Sequence, residues 1–309
     1  MKFLKILLGA FLIIAVFASS FFIFSFLNIK DETKVVVSEV AQWQSPPVTD
    51  LPSVESQMTE EELRDESFLT TQAVRPIKKG TIRVPILLYH QIGSPPGNDQ
   101  DSYWVSPEMF DKQMRWLAEN KYNVIPLDNL TNYLQTGKNK PADKSVIITF
   151  DDGTIGQYTS AFPILKKYHY NATFFIVPTW ADKGSTKTAD YMSWDQIQEL
   201  SDYGMKIGSH NYSHIKMGTA EDYEVVFEPT ESKKVLEEKL GRKITTYAYP
   251  AGDFDARAIT AVQNSDYSTA LSTEKNIDHD LAEIFHIGRM HIDNDIPYFK
   301  ARVQGKWFK

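Results

Sequence analysis

The chain has 309 residues, of which 42% are hydrophobic and 13% aromatic, with a formal net charge of -7. That is apolar material enough for one large or two modest packed domains. The acidic balance argues against a nucleic-acid binder, which needs clustered Lys and Arg, and suits a neutral or cationic polymer better. No cysteine is present, so disulfides, thiolate metal sites and cysteine nucleophiles are excluded, and any metal must be held by His, Asp or Glu.

Ile6 to Ile29 carries no charge, with Lys2 and Lys5 before it and Lys30, Asp31 and Glu32 after it. As a helix this stretch can span a bilayer, and the preceding positive charge predicts the N-terminus inside. The small residues Ala18-Ser19-Ser20 offer a signal-peptide cleavage site as the alternative. The apolar run continues through Phe21, Phe22, Ile23, Phe24 and Phe26, so an uncleaved single-pass membrane anchor over residues 1–30 is the expectation. Both readings place the remainder outside the cytoplasm. Residues 31–80, with Pro46-Pro47, Pro52 and the acidic run Glu60-Glu61-Glu62, read as an extended linker or stalk.

Residues 81–309 read as the globular domain. Short apolar runs at Val84–Tyr89, Asn123–Pro126, Ser145–Phe150, Ala172–Val177, Met205–Ser209, Thr245–Tyr249, Tyr267–Leu271 and Ile287–Ile292 have the length and flanking residues of buried strands. Helical patterns lie between them. Ser106-Pro107 opens one whose Phe110, Met114 and Leu117 share a face; Asp128 is expected to cap a second that Gly137 ends. Ser193 to Gln196 fits a capping box with Gly204 as the stop, and Glu231 to Leu240 ends at Gly241. Strand–helix alternation throughout predicts an α/β fold with a parallel sheet. About seven to eight strands in roughly this length favour a distorted (β/α) barrel, with an open doubly wound sheet as the alternative. In either case, chemistry belongs at the C-terminal ends of strands.

Three strand ends carry candidate chemistry. The run Ser145–Phe150 ends in Asp151-Asp152-Gly153. Adjacent carboxylates on extended chain point to different sides, so one can ligate a metal while its neighbour serves as a base; the plain alternative is a polar turn. A second strand end, Lys206 to Ser209, runs into His210-Asn211-Tyr212-Ser213-His214, and two histidines four apart can reach one ion. A lone pair of exposed loop histidines is the competing reading. Together with the Asp pair, however, they make a His-His-Asp set with an open position for water or substrate. The third, Tyr247-Ala248-Tyr249-Pro250-Ala251-Gly252, reads as a site wall whose aromatic rings stack on a sugar, or as an ordinary strand-to-helix turn.

In order and spacing these elements resemble the polysaccharide deacetylase family, also called carbohydrate esterase family 4 or NodB-like. Thr149–Gly153 matches the family's first motif, His210 and His214 the second, and Tyr249-Pro250-Ala251-Gly252 part of the third. The resemblance runs from about Val84 to the C-terminus. Leu88-Tyr89-His90, Phe110–Leu117, Ala161–Tyr168 and Ile287-Gly288-Arg289 are similar to the extracellular poly-β-1,6-N-acetylglucosamine deacetylases of biofilm formation. That branch, like this chain, lacks the third-motif arginine that orients the catalytic Asp.

The resemblance implies hydrolytic N-deacetylation of an N-acetylglucosamine polymer by one divalent ion, zinc in the first instance, with Co2+, Ni2+ or Mn2+ as substitutes. Asp152, His210 and His214 would be its ligands, Asp151 the general base and His291 the general acid. Tyr249, Pro250, Gly252 and Arg289 fall to the substrate-binding wall, with Arg289 the candidate to take over the missing arginine's role. His90 reads as a packed strand-end histidine. Polysaccharide synthase or export proteins are implied partners, beside the membrane and the polymer. Alternatives are peptidoglycan or another acetylated glycan as substrate, and a non-catalytic glycan-binding protein on the same scaffold. A phosphodiesterase would want a phosphate-binding loop, and no Gly-rich candidate is present.

Overall fold

Each of the eight apolar runs contains a strand in the structure, a computed structural model that describes residues 80–97, 101–186 and 190–306. The expected anchor over 1–30 and all but the last residue of the stalk expected over 31–80 lie outside the described residues. No helix among the described residues is long and apolar enough to cross a membrane.

The strands of the main sheet are β1 (Ile86–Tyr89), β2 (Asn123–Val124), β3 (Ser145–Phe150), β4 (Thr173–Ile176), β5 (Lys206–Ser209), β6 (Thr246–Ala248), β7 (Thr269–Leu271) and β8 (Met290–His291), beside two short pairs, Ile82–Arg83 with Asp278–His279 and Gln91–Ile92 with Trp104–Val105. Seven follow one another across a parallel sheet in the order β7-β6-β5-β4-β3-β1-β8, and β2 pairs with the first half of β3. All six residues of β3 are buried, as expected where both faces of a parallel sheet are covered.

The period-2 alternation of strands sorts the core into two layers. Leu87, Ile148, Phe174, Tyr247 and Ala270 pack with helix residues such as Phe110, Leu165, Leu200 and Leu236 on one face. Ile86, Ile147, Phe175, Ala248, Leu271 and Ile287 form a separate cluster on the other. The sheet curls around this second cluster. One segment touches both of its ends: Ile287 N–H donates to Ala270 O at 2.9 Å and Ile287 O accepts from Ser272 N–H at 2.8 Å, while Ile292 N–H donates to Leu88 O at 2.9 Å.

Helix α1 (Pro107–Glu119) starts as expected, with Ser106 Oγ accepting from Met109 N–H at 3.1 Å. Helix α2 (Leu127–Thr136) corrects one expectation. Its N-cap residue is Pro126, and Asp128 lies inside the first turn, where it pairs with Lys206 at 2.9 Å. Helices α3 (Phe162–Tyr168), α4 (Pro178–Thr186) and α5 (Trp194–Tyr203) follow, the last with the predicted Ser193–Gln196 capping box. Helix α6 (Asp222–Leu240) is longer than the segment from Glu231, because Pro229 is accommodated inside it. A proline deletes one intrahelical bond; burial of Val225, Pro229, Ser232 and Leu236 offsets that loss and carries the helix through. Helices α7 (Ala256–Asn264) and α8 (Ile296–Gln304) complete the domain.

Candidate metal centre and active site

β1 and β3 are neighbours and β5 lies one strand further on, beyond β4; the residues that follow these three strands open onto one cavity of about 320 Å³. Its lining includes His90 after β1, Asp151 and Asp152 after β3, and His210 and His214 after β5; Tyr103, Trp104, Ala251 and Thr273 form the walls. The C-terminal placement expected of an α/β sheet is met.

Asp151 continues the alternation of Ile147 and Thr149 and therefore points to the side of the curl. There it is 1% exposed and meets Arg289, which is fully buried. The guanidinium grips both carboxylate oxygens: Nη1 donates to Oδ1 and Nη2 to Oδ2, each at 2.7 Å. Arg289 is itself fixed by Nε–H donating to Ser272 O at 2.9 Å and Nη1–H to Thr149 Oγ1 at 3.3 Å. Burial alone would raise the Asp151 carboxyl; the charge of Arg289, helped by His210, more than offsets this and holds it below the usual carboxylate range.

Asp152 lies past the strand end in the left-handed region, φ 77°, which turns its carboxylate away from Asp151 and toward the histidines. Asp152 Oδ1 is 3.5 Å from His210 Nε2 and 3.3 Å from His214 Nε2. One donor atom from each of the three residues lies within 4.8 Å of the others. His210 Nδ1–H donates to Ala248 O at 2.8 Å, which leaves Nε2 as the lone-pair nitrogen of the neutral ring. The His214 ring stacks on Trp180, centroids 4.6 Å apart.

These residues fit a divalent cation. Asp152 Oδ1 is buried and accepts no hydrogen bond, an arrangement that is costly without a cationic partner. Two imidazoles and one carboxylate leave further coordination positions free, as in hydrolytic sites. Burial would push the Asp152 carboxyl up, but the imidazoles of His210 and His214 hold it far below its ordinary value. His210 is shifted the other way: burial works to lower it, and the Asp151 and Asp152 charges raise it overall.

Several expected roles change. Arg289 has no surface to offer a substrate; of its two expected roles it takes the missing arginine's, holding Asp151. Tyr249 and Pro250 are buried as well. The Tyr249 hydroxyl donates to Phe285 O at 3.1 Å and its ring stacks on Phe254, and Tyr247 is buried with its hydroxyl on Asn211. Neither ring can stack on a sugar. Of that turn it is Ala251 that lines the cavity, and Gly252, φ 66°, is required because a Cβ there would strike Thr273. His291 is not among the cavity-lining residues. Its Nε2–H donates to Ser102 O at 2.7 Å, and its ring sits behind His90 and Tyr103, 5.4 and 5.3 Å away. His90, expected to be a packing residue, faces the cavity instead, and burial lowers its pKa to about 4. Tyr103 ends a 3-10 turn, Asp101–Tyr103, and Trp104 opens a two-residue strand paired with Gln91–Ile92, elements too short to leave a periodic signal in the sequence.

Residues 138–270 match the family profile described as polysaccharide deacetylase. Among curated proteins, the chain is 31% identical over 192 residues to Bacillus subtilis YxkH, a provisionally assigned polysaccharide deacetylase, covering 62% of this chain. The match spans 65% of YxkH. The chain is also 25% identical over 203 residues to a poly-β-1,6-N-acetyl-D-glucosamine N-deacetylase of Staphylococcus aureus, covering 63% of this chain and 69% of that protein. Among solved structures, the Streptococcus pyogenes deacetylase PplD in complex with acetate shares the fold, with a TM-score of 0.65 at 24% identity, over 72% of this chain and 99% of that one.

Proposed function

We propose that this chain, which matches the polysaccharide deacetylase profile over residues 138–270, is a metal-dependent N-deacetylase of an N-acetylglucosamine polymer, poly-β-1,6-N-acetyl-D-glucosamine in particular. The observation that carries the reading is the pairing of an Arg-clamped Asp151 with the Asp152–His210–His214 set on the floor of one open cavity. The substrate assignment rests on the likeness to the Staphylococcus aureus enzyme.

Asp152, His210 and His214 would hold the ion, zinc being the natural choice for a nitrogen-rich set, and when bound it supplies Lewis acidity toward the acetamide carbonyl and a more acidic water. The remaining chemistry belongs to the protein. Arg289 keeps Asp151 ionised and fixes its direction, so the carboxylate is ready to take a proton from the attacking water. The bidentate grip uses one lone pair of each oxygen and leaves the others for that proton. His90 is neutral at physiological pH, and the Nε2 of His291 is occupied by Ser102, so neither histidine is poised as a cationic acid. Asp151 is the group placed to return the proton to the departing amine nitrogen. Water and the acetamide thus become acetate and a free amine. Tyr103 and Trp104 on the cavity wall offer apolar faces to a sugar ring.

The charge-free stretch Ile6–Ile29 is taken to anchor the chain in the cell membrane with this domain outside, where such a polymer is encountered. The substrate is tested by acetate release from poly-β-1,6-N-acetylglucosamine oligomers and from peptidoglycan glycan strands, each offered to the purified full-length chain. Preference for the β-1,6 oligomers supports the assignment; turnover of the glycan strands alone would move the activity to the cell wall. Binding of either polymer without acetate would leave only a glycan-binding protein.

A further inference from the structure

Glu228 is a buried carboxylate, 4% exposed, on α6 and away from the cavity lining. It makes no ion pair with a basic side chain among the described residues. Its bonds go to the loop between the two histidines. Oε2 accepts from Tyr212 N–H at 2.9 Å and from Ser213 N–H at 2.8 Å, and Oε1 accepts from the Ser213 hydroxyl. A buried carboxylate is retained only where such donors satisfy it.

The same helix face makes a second bond. Ser232, one turn after Glu228 and fully buried, shares a hydrogen bond of 2.7 Å with Ser209, the residue before His210. Positions four apart lie on one side of a helix, so α6 grips the strand end before His210 and the loop before His214 together. The loop needs holding. Asn211 and His214 both have φ 66°, the left-handed region, which Asn adopts readily but which for His persists only where surrounding bonds impose it. Asn211 supplies part of this, with Nδ2–H donating to Ile215 O at 3.0 Å and Oδ1 accepting from Tyr247.

We infer that Glu228 is a positioning residue for the metal site: its carboxylate folds the His210–His214 loop so that both Nε2 atoms converge on Asp152. This rests on the reading that these three residues bind a metal. The inference separates binding from stability. Removing the carboxylate lets the loop relax, which spreads the ligands even where the rest of the domain stays folded.

The test is Zn2+ affinity of the full-length chain, read by competition with a chromophoric chelator, together with thermal unfolding of the metal-free protein. Glu228→Ala is expected to weaken Zn2+ binding about 10- to 100-fold, the range found for residues that orient metal ligands. Glu228→Gln, which keeps two acceptor bonds, is expected to recover most of the loss. Ser213→Ala removes one bond without opening the core and is expected to cost about two- to tenfold in affinity. Wild-type affinity in Glu228→Ala would overturn the inference while leaving the metal site intact. Should Glu228→Ala fail to fold, Ser213→Ala decides, and unchanged affinity there overturns it. A wild-type chain that binds no Zn2+, with Asp152→Ala indistinguishable from it, would instead remove the metal reading on which the inference stands.

Discussion

Arg289 and Asp151 meet as a fully buried bidentate ion pair across 138 positions of sequence. The pair joins the segment that bonds to both ends of the curled sheet to the middle of that sheet. Replacing Arg289 therefore does two things. Arg289→Met leaves Asp151 buried without its counter-charge, a change of about 3–5 kcal/mol in similar buried pairs. It also frees the carboxylate to rotate or protonate. Arg289→Lys keeps a charge but not the planar fork. Both variants are expected to lose acetate release, by about 100-fold or more for misplaced catalytic geometry. Lys should retain more thermal stability than Met, as measured by calorimetry. Equal activity in Arg289→Lys would show that charge alone suffices.

The metal set predicts a ligand-linked stability. A site formed only in the folded chain should raise the unfolding temperature with Zn2+, by about 2.7 kcal/mol of stability at a hundredfold excess over Kd. The rise should disappear with a chelator, in Asp152→Ala and in His214→Ala. A rise that survives Asp152→Ala would place the ion elsewhere.

His279 lies on the strand pair Ile82–Arg83 and Asp278–His279, away from the cavity. It is buried with Nε2 bonded to Val84 O at 3.0 Å, and burial lowers its pKa to about 4. In the unfolded chain the ordinary value is about 6.5. Between these values the unfolded state binds a proton that the folded state refuses, so stability rises with pH in that window and falls as the solution is acidified. The full difference is about 3 kcal/mol below pH 4, at about 1.36 kcal/mol per pH unit. His279→Gln should flatten this part of the stability–pH curve in chemical denaturation. An unchanged slope would mean that the imidazole titrates normally in the fold.

Gly156 begins the π-helical turn Gln157–Ala161 beside the site. A Cβ at this position would run into the Ile92 carbonyl oxygen, which is backbone and cannot swing aside. Gln157, fully buried, donates from Nε2 to Asp151 O at 2.5 Å and to His90 O at 2.8 Å. Gly156→Ala should therefore shift the segment that holds two cavity residues. A loss of about 1–3 kcal/mol is expected from overpacking, together with reduced acetate release. Denaturant titration checks the first and turnover the second.

Much of this was readable before any coordinates. The eight strands of the main sheet follow from apolar runs bounded by turn residues, and the placement of Asp151, Asp152, His210 and His214 at one edge of that sheet follows from their positions at the C-terminal ends of parallel strands. What the sequence could not carry was direction and depth. Tyr249 reads as a wall because an aromatic residue near a site suggests contact with a ligand, yet it is turned into the core; of the two roles open to Arg289, substrate contact and the missing arginine's place, only the fold selects the second. His291, expected as the general acid, and His90, expected to pack, differ from those roles for the same reason: each stands at a strand end, and only the fold shows that Ser102 occupies the first while the cavity takes the second. Glu228 gave no local signal, since its partners lie 15 and 16 positions away and a glutamate in a helix is ordinarily solvated.

The central claim is that an Arg-held Asp151 beside a metal set hydrolyses an N-acetyl group. The most direct measurement is acetate released from poly-β-1,6-N-acetylglucosamine oligomers by the Zn2+-loaded full-length chain, set against Asp151→Asn in the same buffer. Asn keeps the shape but cannot accept the water's proton, so release is expected in the wild type and a loss of about 100-fold or more in the variant. Equal release by both proteins, with Zn2+ affinity unchanged, would contradict the account.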